Sequence, residues 1–278
     1  MGIVRAKDLD HALGALAEQP GADILAGGTD LMIEVTYGDR RPEHLVALRR
    51  VEELRGHRVA NGHLELGALV TYADMERLTD LAPGLAMVAR TVGSPQIRNA
   101  GTIGGNLGTA SPAGDTLPWL VALDAEVGLA SAEDERWLPL AEFITGPKRT
   151  VRAPDELIVG VRVPRVDGPQ HTAKIGPRNA MVIAVACLSV IVDTTNRRVR
   201  VGMGAVGPVP LRPTAAEEGV GREIDWDRLT CPDDAVDRFA TACADATSPI
   251  TDHRSTEAYR RHAIGVLAAR SLRRCLAA

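Results

Sequence analysis

The 278-residue chain is 45% hydrophobic and 24% charged, a balance that argues against disorder, and its length predicts two or three packed units. Aromatic residues make up 3% of it, too few ring faces for stacking unpaired bases, and 32 basic against 36 acidic residues leave a net charge of −4 without single-sign blocks. A nucleic-acid partner is therefore not expected. Among the basic residues only Lys7, Lys148 and Lys174 are lysines, which leaves few amines for Schiff-base or phosphate chemistry and makes each of the three worth following.

In chain order, Leu9, Leu13 and Leu16 recur at helical spacing, and after the Pro20-Gly21 turn a strand is predicted over 23–26, with another over 44–48. Residues 8–48 thus read as a small βαβ unit with parallel strands. A strand is predicted over 63–69 and a helix capped by Thr71 through Leu78, with Asp74 in its first turn, followed by a helix over 83–92. The glycine-rich stretch 93–115 reads as loop, with neither helix nor strand. Beyond it come a helix around 116–123 and strands over 125–130 and 156–163, and Val166 to Gln170 is the expected domain boundary. The alternating segments 183–193 and 199–206 predict a hairpin around Thr194-Thr195-Asn196-Arg197, and 234–245 and 255–276 are amphipathic helices.

Cys187, Cys231, Cys243 and Cys275 form no C-x-x-C pair and match neither a zinc nor an iron–sulfur spacing, so no metal site is expected. The opening residues lack a basic region followed by an apolar stretch, and the longest apolar run, 181–192, is too short to cross a bilayer. A cytoplasmic protein with reduced thiols is the expectation.

Three glycine motifs carry different weights. Gly202-Met-Gly204-Ala-Val-Gly207 satisfies G-x-G-x-x-G, but Pro208-Val209-Pro210 follows where the phosphate-binding helix would have to begin. The glycines are read instead as small residues in a return strand that another element approaches closely. Gly27-Gly28-Thr29-Asp30 follows a strand, and its N–H groups can form an anion-binding nest. Gly101-Thr102-Ile103-Gly104-Gly105-Asn106 offers a second run of small donors, no Gly-Lys-[Ser/Thr] occurs anywhere, and Asp115 suits sugar hydroxyls. Two such loops point to a dinucleotide.

Ile24-Leu-Ala-Gly-Gly-Thr-Asp-Leu31, then Gly101-Thr-Ile-Gly-Gly-Asn106 with Ala110-Ser-Pro112 and Asp115, closely resembles the FAD-binding medium subunit of the molybdenum hydroxylase family, which includes xanthine and carbon monoxide dehydrogenases. The likeness continues through Pro154-Asp-Glu-Leu-Ile158, Lys174-Ile-Gly-Pro-Arg178, Asp252-His-Arg-Ser255 and Tyr259-Arg-Arg-His262. The resemblance implies an α+β chain. Its first part would be a two-part FAD-binding PCMH-type domain over 1–166. A CO dehydrogenase flavoprotein C-terminal-like domain would follow over 168–278, with a three-stranded antiparallel sheet and helices.

On the same resemblance, Ile24, Leu25, Ala26, Gly27, Gly28, Thr29, Asp30 and Leu31, with Thr102, Ile103, Gly104, Gly105 and Asn106, hold the pyrophosphate of FAD. Asp115 binds the adenosine side, Ile158 and Lys174 lie near the flavin ring, and no residue is assigned a catalytic role. Lys174 either places charge near the isoalloxazine or forms a surface ion pair. Tyr259 and His262 are expected on a packed face, with Arg260 and Arg261 turned toward solvent or a partner. The implied function is electron transfer, from iron–sulfur clusters of a small subunit that serves a molybdopterin large subunit, through FAD, to NAD, a quinone or oxygen. Alternatives are a self-contained FAD-dependent oxidase or dehydrogenase and a non-catalytic binding module.

Overall fold

The computed structural model describes residues 2–277. The chain opens with β1 (Gly2–Arg5), α1 (Leu9–Glu18), β2 (Asp23–Leu25), α2 (Leu31–Tyr37) and β3 (His44–Ala47). Asp8 caps α1 by accepting from His11 N at 2.8 Å, and Ala12, Leu13, Ala15 and Leu16 form its buried stripe. The three strands pair in parallel in the order β1-β3-β2, so the βαβ expectation holds with one strand more than the sequence indicated. A hairpin follows, β4 (His57–Ala60) and β5 (His63–Gly67), turning on Asn61 and Gly62, both at positive φ. That is the geometry an Asn-Gly hairpin turn requires.

Next come α3 (Tyr72–Met75), α4 (Pro83–Arg90), α5 (Pro95–Ala100), α6 (Ile103–Thr109) and α7 (Leu117–Ala122). Thr71 and Asp74 cap α3 reciprocally, Thr71 N donating to Asp74 Oδ2 and Asp74 N to Thr71 Oγ1, each at 3.1 Å, but the helix stops at Met75 rather than reaching Leu78. The loop expected over 93–115 is corrected, because two helices occupy most of it. Ser94 caps α5 with Pro95 in its first turn, and Thr102 Oγ1 caps α6 by accepting from Gly105 N at 3.0 Å. The glycines that suggested a loop instead let α6 pack closely, since a Cβ on Gly104 would sit 2.7 Å from Ala68 Cβ. A Thr102→Ala chain should lose about 1 kcal/mol of stability, read as a lower urea midpoint at unchanged slope.

The remaining elements are β6 (Glu126–Ala130), β7 (Glu135–Pro139), α8 (Leu140–Phe143), β8 (Ile144–Gly146), β9 (Arg149–Thr150), β10 (Leu157–Pro164), β11 (Gln170–Ile175), β12 (Ala186–Asp193), β13 (Arg198–Gly204), α9 (Thr214–Gly221), α10 (Asp233–Asp245) and α11 (Glu257–Leu276). They complete an α+β chain that packs as two compact units. One comprises Met1–Met75, Ser94–Ala110 and Ala125–Pro164, the other Glu76–Gly93, Ser111–Asp124 and Arg165–Ala278.

The first unit holds the parallel sheet and a five-stranded antiparallel sheet ordered β4-β5-β10-β6-β7. One of its cores gathers Leu16, Val46, Leu48, Leu54, Leu69 and Leu157. The second unit is built on the three-stranded antiparallel sheet β11-β12-β13. All eight residues of β12 are buried, and its core continues through Phe239, Ile264 and Leu272 of α10 and α11. Gly202 and Gly204 of β13 lie against α7: a Cβ on Gly202 would overlap the Pro118 carbonyl, and one on Gly204 would come within 2.8 Å of Pro118 Cγ. The G-x-G-x-x-G motif therefore serves packing.

At 259–262 the expected orientation is reversed. Tyr259 is 48% exposed and His262 is exposed, whereas Arg260 is 3% exposed. Its guanidinium donates to the carbonyls of Val185 and Ala205, both at 2.8 Å, and to Asp252 Oδ1 at 2.7 Å. Three charge-assisted bonds hold the cation inside, which helical periodicity alone does not reveal.

Candidate functional site: a glycine-lined cleft

A cleft of about 280 Å³ opens in the first unit. The β2–α2 turn contributes Ala26 to Asp30, α6 contributes Gly104, Gly105 and Asn106 together with its cap Thr102, and Leu157 and Ile158 come from β10. Of the residues expected to hold the cofactor, Ile24, Ala26, Gly27, Gly28, Thr29, Asp30, Leu31, Thr102, Gly104, Gly105, Asn106 and Ile158 meet on its wall. Leu25 and Ile103 do not. Leu25 packs beneath Gly28, where a Cβ would meet its Cδ1 at 3.0 Å, and Ile103 is fully buried.

Glycine is required at two points of the first turn. A Cβ on Gly27 would overlap the Ala100 carbonyl at the end of α5, and Gly28 has φ +74°, in the left-handed region that side chains rarely occupy. The two glycine segments differ in what their backbones can still donate. The first N–H groups of α6 are already engaged: Ile103 N donates to Val70 O at 3.0 Å, Gly104 N to Ala68 O at 2.9 Å and Gly105 N to Thr102 Oγ1. In contrast, none of the N–H groups of Gly27, Gly28, Thr29, Asp30 and Leu31 is bonded to a protein acceptor among the described residues. Polar backbone groups left without protein partners need water or a ligand, so the turn after β2 presents donors that an anionic ligand in the cleft could use. The second segment contributes close-packed glycine surface, the Thr102 hydroxyl and the Asn106 side chain.

The rim is charged. Thr109 Oγ1 donates to Asp30 Oδ2 at 2.9 Å, tying the turn to α6. Glu34 accepts from Lys148 Nζ at 2.8 Å and lies 3.5 Å from Arg40, which also pairs with Asp23. The hydrogen bond from Lys148, outweighing burial, holds the Glu34 carboxyl below its ordinary range. Arg152 donates to the carbonyls of Ala153 at 3.0 Å and Glu156 at 2.6 Å. Arg40, Lys148 and Arg152 all line the cleft, and sequence reasoning assigned none of them there. The scarcity of lysine was the one signal pointing to Lys148.

Asp115 and Lys174 belong to the second unit and pair with each other. Lys174 Nζ donates to Asp115 Oδ1 at 3.1 Å, to Thr91 O at 2.9 Å and to Val182 O at 3.3 Å. The two side chains are 8% and 15% exposed, so this is not the surface ion pair considered from sequence. Burial pushes the Asp115 carboxyl up, against the opposing pull of the Lys174 ammonium. Cys187, beside Lys174 in the β11–β12 register, is buried, and burial raises its thiol well above its usual range, which leaves it unreactive.

Among the described residues no group of three His, Cys, Asp or Glu side chains is placed to hold a metal ion, all four cysteines are free, and no helix is long and apolar enough to cross a membrane. The fit to a dinucleotide rests on the cleft itself: open N–H donors in a turn with no room for a Cβ at Gly27, beside cationic side chains and the apolar Leu157 and Ile158 of β10.

Comparison with known proteins agrees. The family profile "FAD binding domain in molybdopterin dehydrogenase" matches residues 1–166, and "CO dehydrogenase flavoprotein C-terminal domain" matches 171–275. The glyceraldehyde dehydrogenase medium chain of Sulfolobus acidocaldarius is 30% identical over 271 residues, covering 95% of this chain and 94% of that one. The nicotinate dehydrogenase FAD-subunit of Eubacterium barkeri is 34% identical over 226 residues, 76% of each chain. A chain of reconstituted CO dehydrogenase from Oligotropha carboxidovorans superposes with a TM-score of 0.90 at 25% identity, covering 100% of this chain and 98% of that one. The chain belongs to the family of FAD-binding medium subunits of molybdenum hydroxylases.

Proposed function

We propose that this chain is the electron-transfer subunit of a heteromeric molybdenum hydroxylase, holding FAD in the glycine-lined cleft and working beside an iron–sulfur small subunit and a molybdopterin large subunit. The observation that carries the site assignment is the set of open N–H groups over Gly27 to Leu31. They are neutral donors of consecutive residues that line the cleft, suited to a diphosphate that stays bound. Thr29, Thr102 and Asn106 add side-chain groups, and Leu157 and Ile158 give the cleft an apolar side for a ring system.

When bound, FAD would accept electrons from the partner's clusters and pass them to NAD, a quinone or oxygen. The chain's own residues bind and orient it. Asp115 Oδ2 accepts no hydrogen bond among the described residues, so the carboxylate braced by Lys174 through Oδ1 keeps an acceptor for a sugar hydroxyl. That supports Asp115 on the adenosine side, with Lys174 as its positioning residue. The functional division we propose is 1–166 and 168–278. Four free cysteines support a cytoplasmic site of action.

Purification from the native source is expected to yield about one FAD per chain, with iron and molybdenum on co-purifying subunits. The chain alone should bind FAD and show dye-linked NADH oxidation at most. Substrate hydroxylation by the isolated chain, or a chain that stays colourless when FAD is added, would overturn the assignment.

A further inference from the structure

Lys148 lies in the β8–β9 turn with φ +56°, a conformation non-glycine residues rarely adopt. Its N–H donates to Ala110 O at 2.9 Å, and Ala110, which closes α6, is itself left-handed at φ +45°. The turn is thereby fixed to the end of the helix that lines the cleft. From there the side chain reaches Glu34 on α2, 114 positions away in sequence.

The two ends of this bridge are unlike. Nothing in α2 is buried, and glycines at positive φ, Gly28 and Gly38, stand before and after it. With 64% and 30% of their side chains exposed, Lys148 and Glu34 form a pair that adds little to stability. The left-handed turn, tied to Ala110 O, instead fixes where the Lys148 side chain starts beside the cleft. The neighbouring cations are more firmly engaged: Arg40 with Asp23 and Glu34, Arg152 with two carbonyls. Lys148, on a flexible stem with Glu34 as its side-chain partner, is the cation best able to exchange one anion for another.

We propose that Lys148 and Glu34 form a latch at the cleft mouth, in which Lys148 leaves Glu34 for the cofactor's diphosphate, so that Glu34 is a built-in competitor setting how tightly FAD is retained. The inference rests on the reading of the cleft as the FAD site. Exchange of partners requires no bond making or breaking beyond hydrogen bonds, and the doubly charged diphosphate outcompetes the single carboxylate.

The test is the rate of FAD release from the full-length chain, followed by flavin fluorescence after dilution at several salt concentrations. Lys148→Ala is expected to release FAD about tenfold faster, with a weaker salt dependence. Glu34→Gln should release it about threefold more slowly. In the double variant the slowing by Glu34→Gln should largely disappear, leaving a rate close to that of Lys148→Ala, since the remaining cation near Glu34, Arg40, is also held by Asp23. An unchanged rate in Lys148→Ala overturns the latch. So does faster release from Glu34→Gln, which would show that the carboxylate only holds α2 in place. A wild-type chain that takes up no FAD overturns the cleft assignment and the latch together.

Discussion

A Gly27→Ala chain is expected to purify almost without flavin. The added methyl would overlap the Ala100 carbonyl, a main-chain atom that cannot rotate aside, so either the turn after β2 or the junction of α5 and α6 must move. Overpacking of this kind costs up to about 3 kcal/mol of stability; where the strain is relieved by the turn moving out of its binding geometry, binding must restore that geometry and loses up to the same energy, roughly a hundredfold in affinity. The ratio of flavin to protein absorbance reads the retention, and titration of the apoprotein with FAD reads the affinity. Normal flavin content in Gly27→Ala would place the diphosphate away from this turn. Far-ultraviolet circular dichroism separates loss of the site from loss of the fold.

The second large effect is expected at Arg260. Arg260→Leu removes a guanidinium from the interior of the second unit, takes a donor from two carbonyls and leaves the Asp252 carboxylate with the N–H groups of Arg254 and Ser255 but without its buried cation. Breaking a buried charged cluster from one side costs about 3–5 kcal/mol, measurable by chemical denaturation. The loss should also depend on pH. Burial alone would raise the Asp252 carboxyl, but the N–H of Arg254, the Arg260 guanidinium and the N–H of Ser255 lower it to about 2, from an ordinary 3.8. A group whose pKa is depressed by folding contributes fully above its unfolded value and loses that contribution as the pH falls toward the folded one. The stability gap between wild type and Arg260→Leu should therefore be widest above about pH 4 and narrow toward pH 2. A gap that stays constant over that range would show that the Asp252 contact is not what the arginine supplies.

How far the sequence revealed these features depended on the range of the interactions behind them. The stripe of α1, the hairpin of β12 and β13 and the amphipathic faces of α10 and α11 are local patterns, and they were legible. The helices α5 and α6 were not, because glycine content outweighed the capping signals of Ser94, Pro95 and Thr102. The Asn61-Gly62 hairpin signal was present for β4 and was passed over. At the cleft, the glycine positions could be read because only glycine tolerates those backbone constraints. Which glycine segment keeps its donors free depends on the Ala68 and Val70 carbonyls, which engage α6 across more than thirty positions of sequence. Arg260 eluded helical periodicity for a similar reason: its acceptors are two loop carbonyls and the Asp252 carboxylate, which no pattern within α11 encodes.

The division of the chain into units also bears on its synthesis. The second unit includes α4 and α7, which are translated well before the strands they pack against, α4 on β11 and α7 on β13. About eighty residues separate each helix from its strand, a delay of roughly 4–16 s at ordinary elongation rates. During that interval the buried faces of the two helices, including Leu85, Val88, Trp119 and Leu120, have no sheet to cover them. A ribosome paused just after Pro164 would have translated all of the first unit, and neither β11 nor β13, while these apolar faces stay accessible to a chaperone.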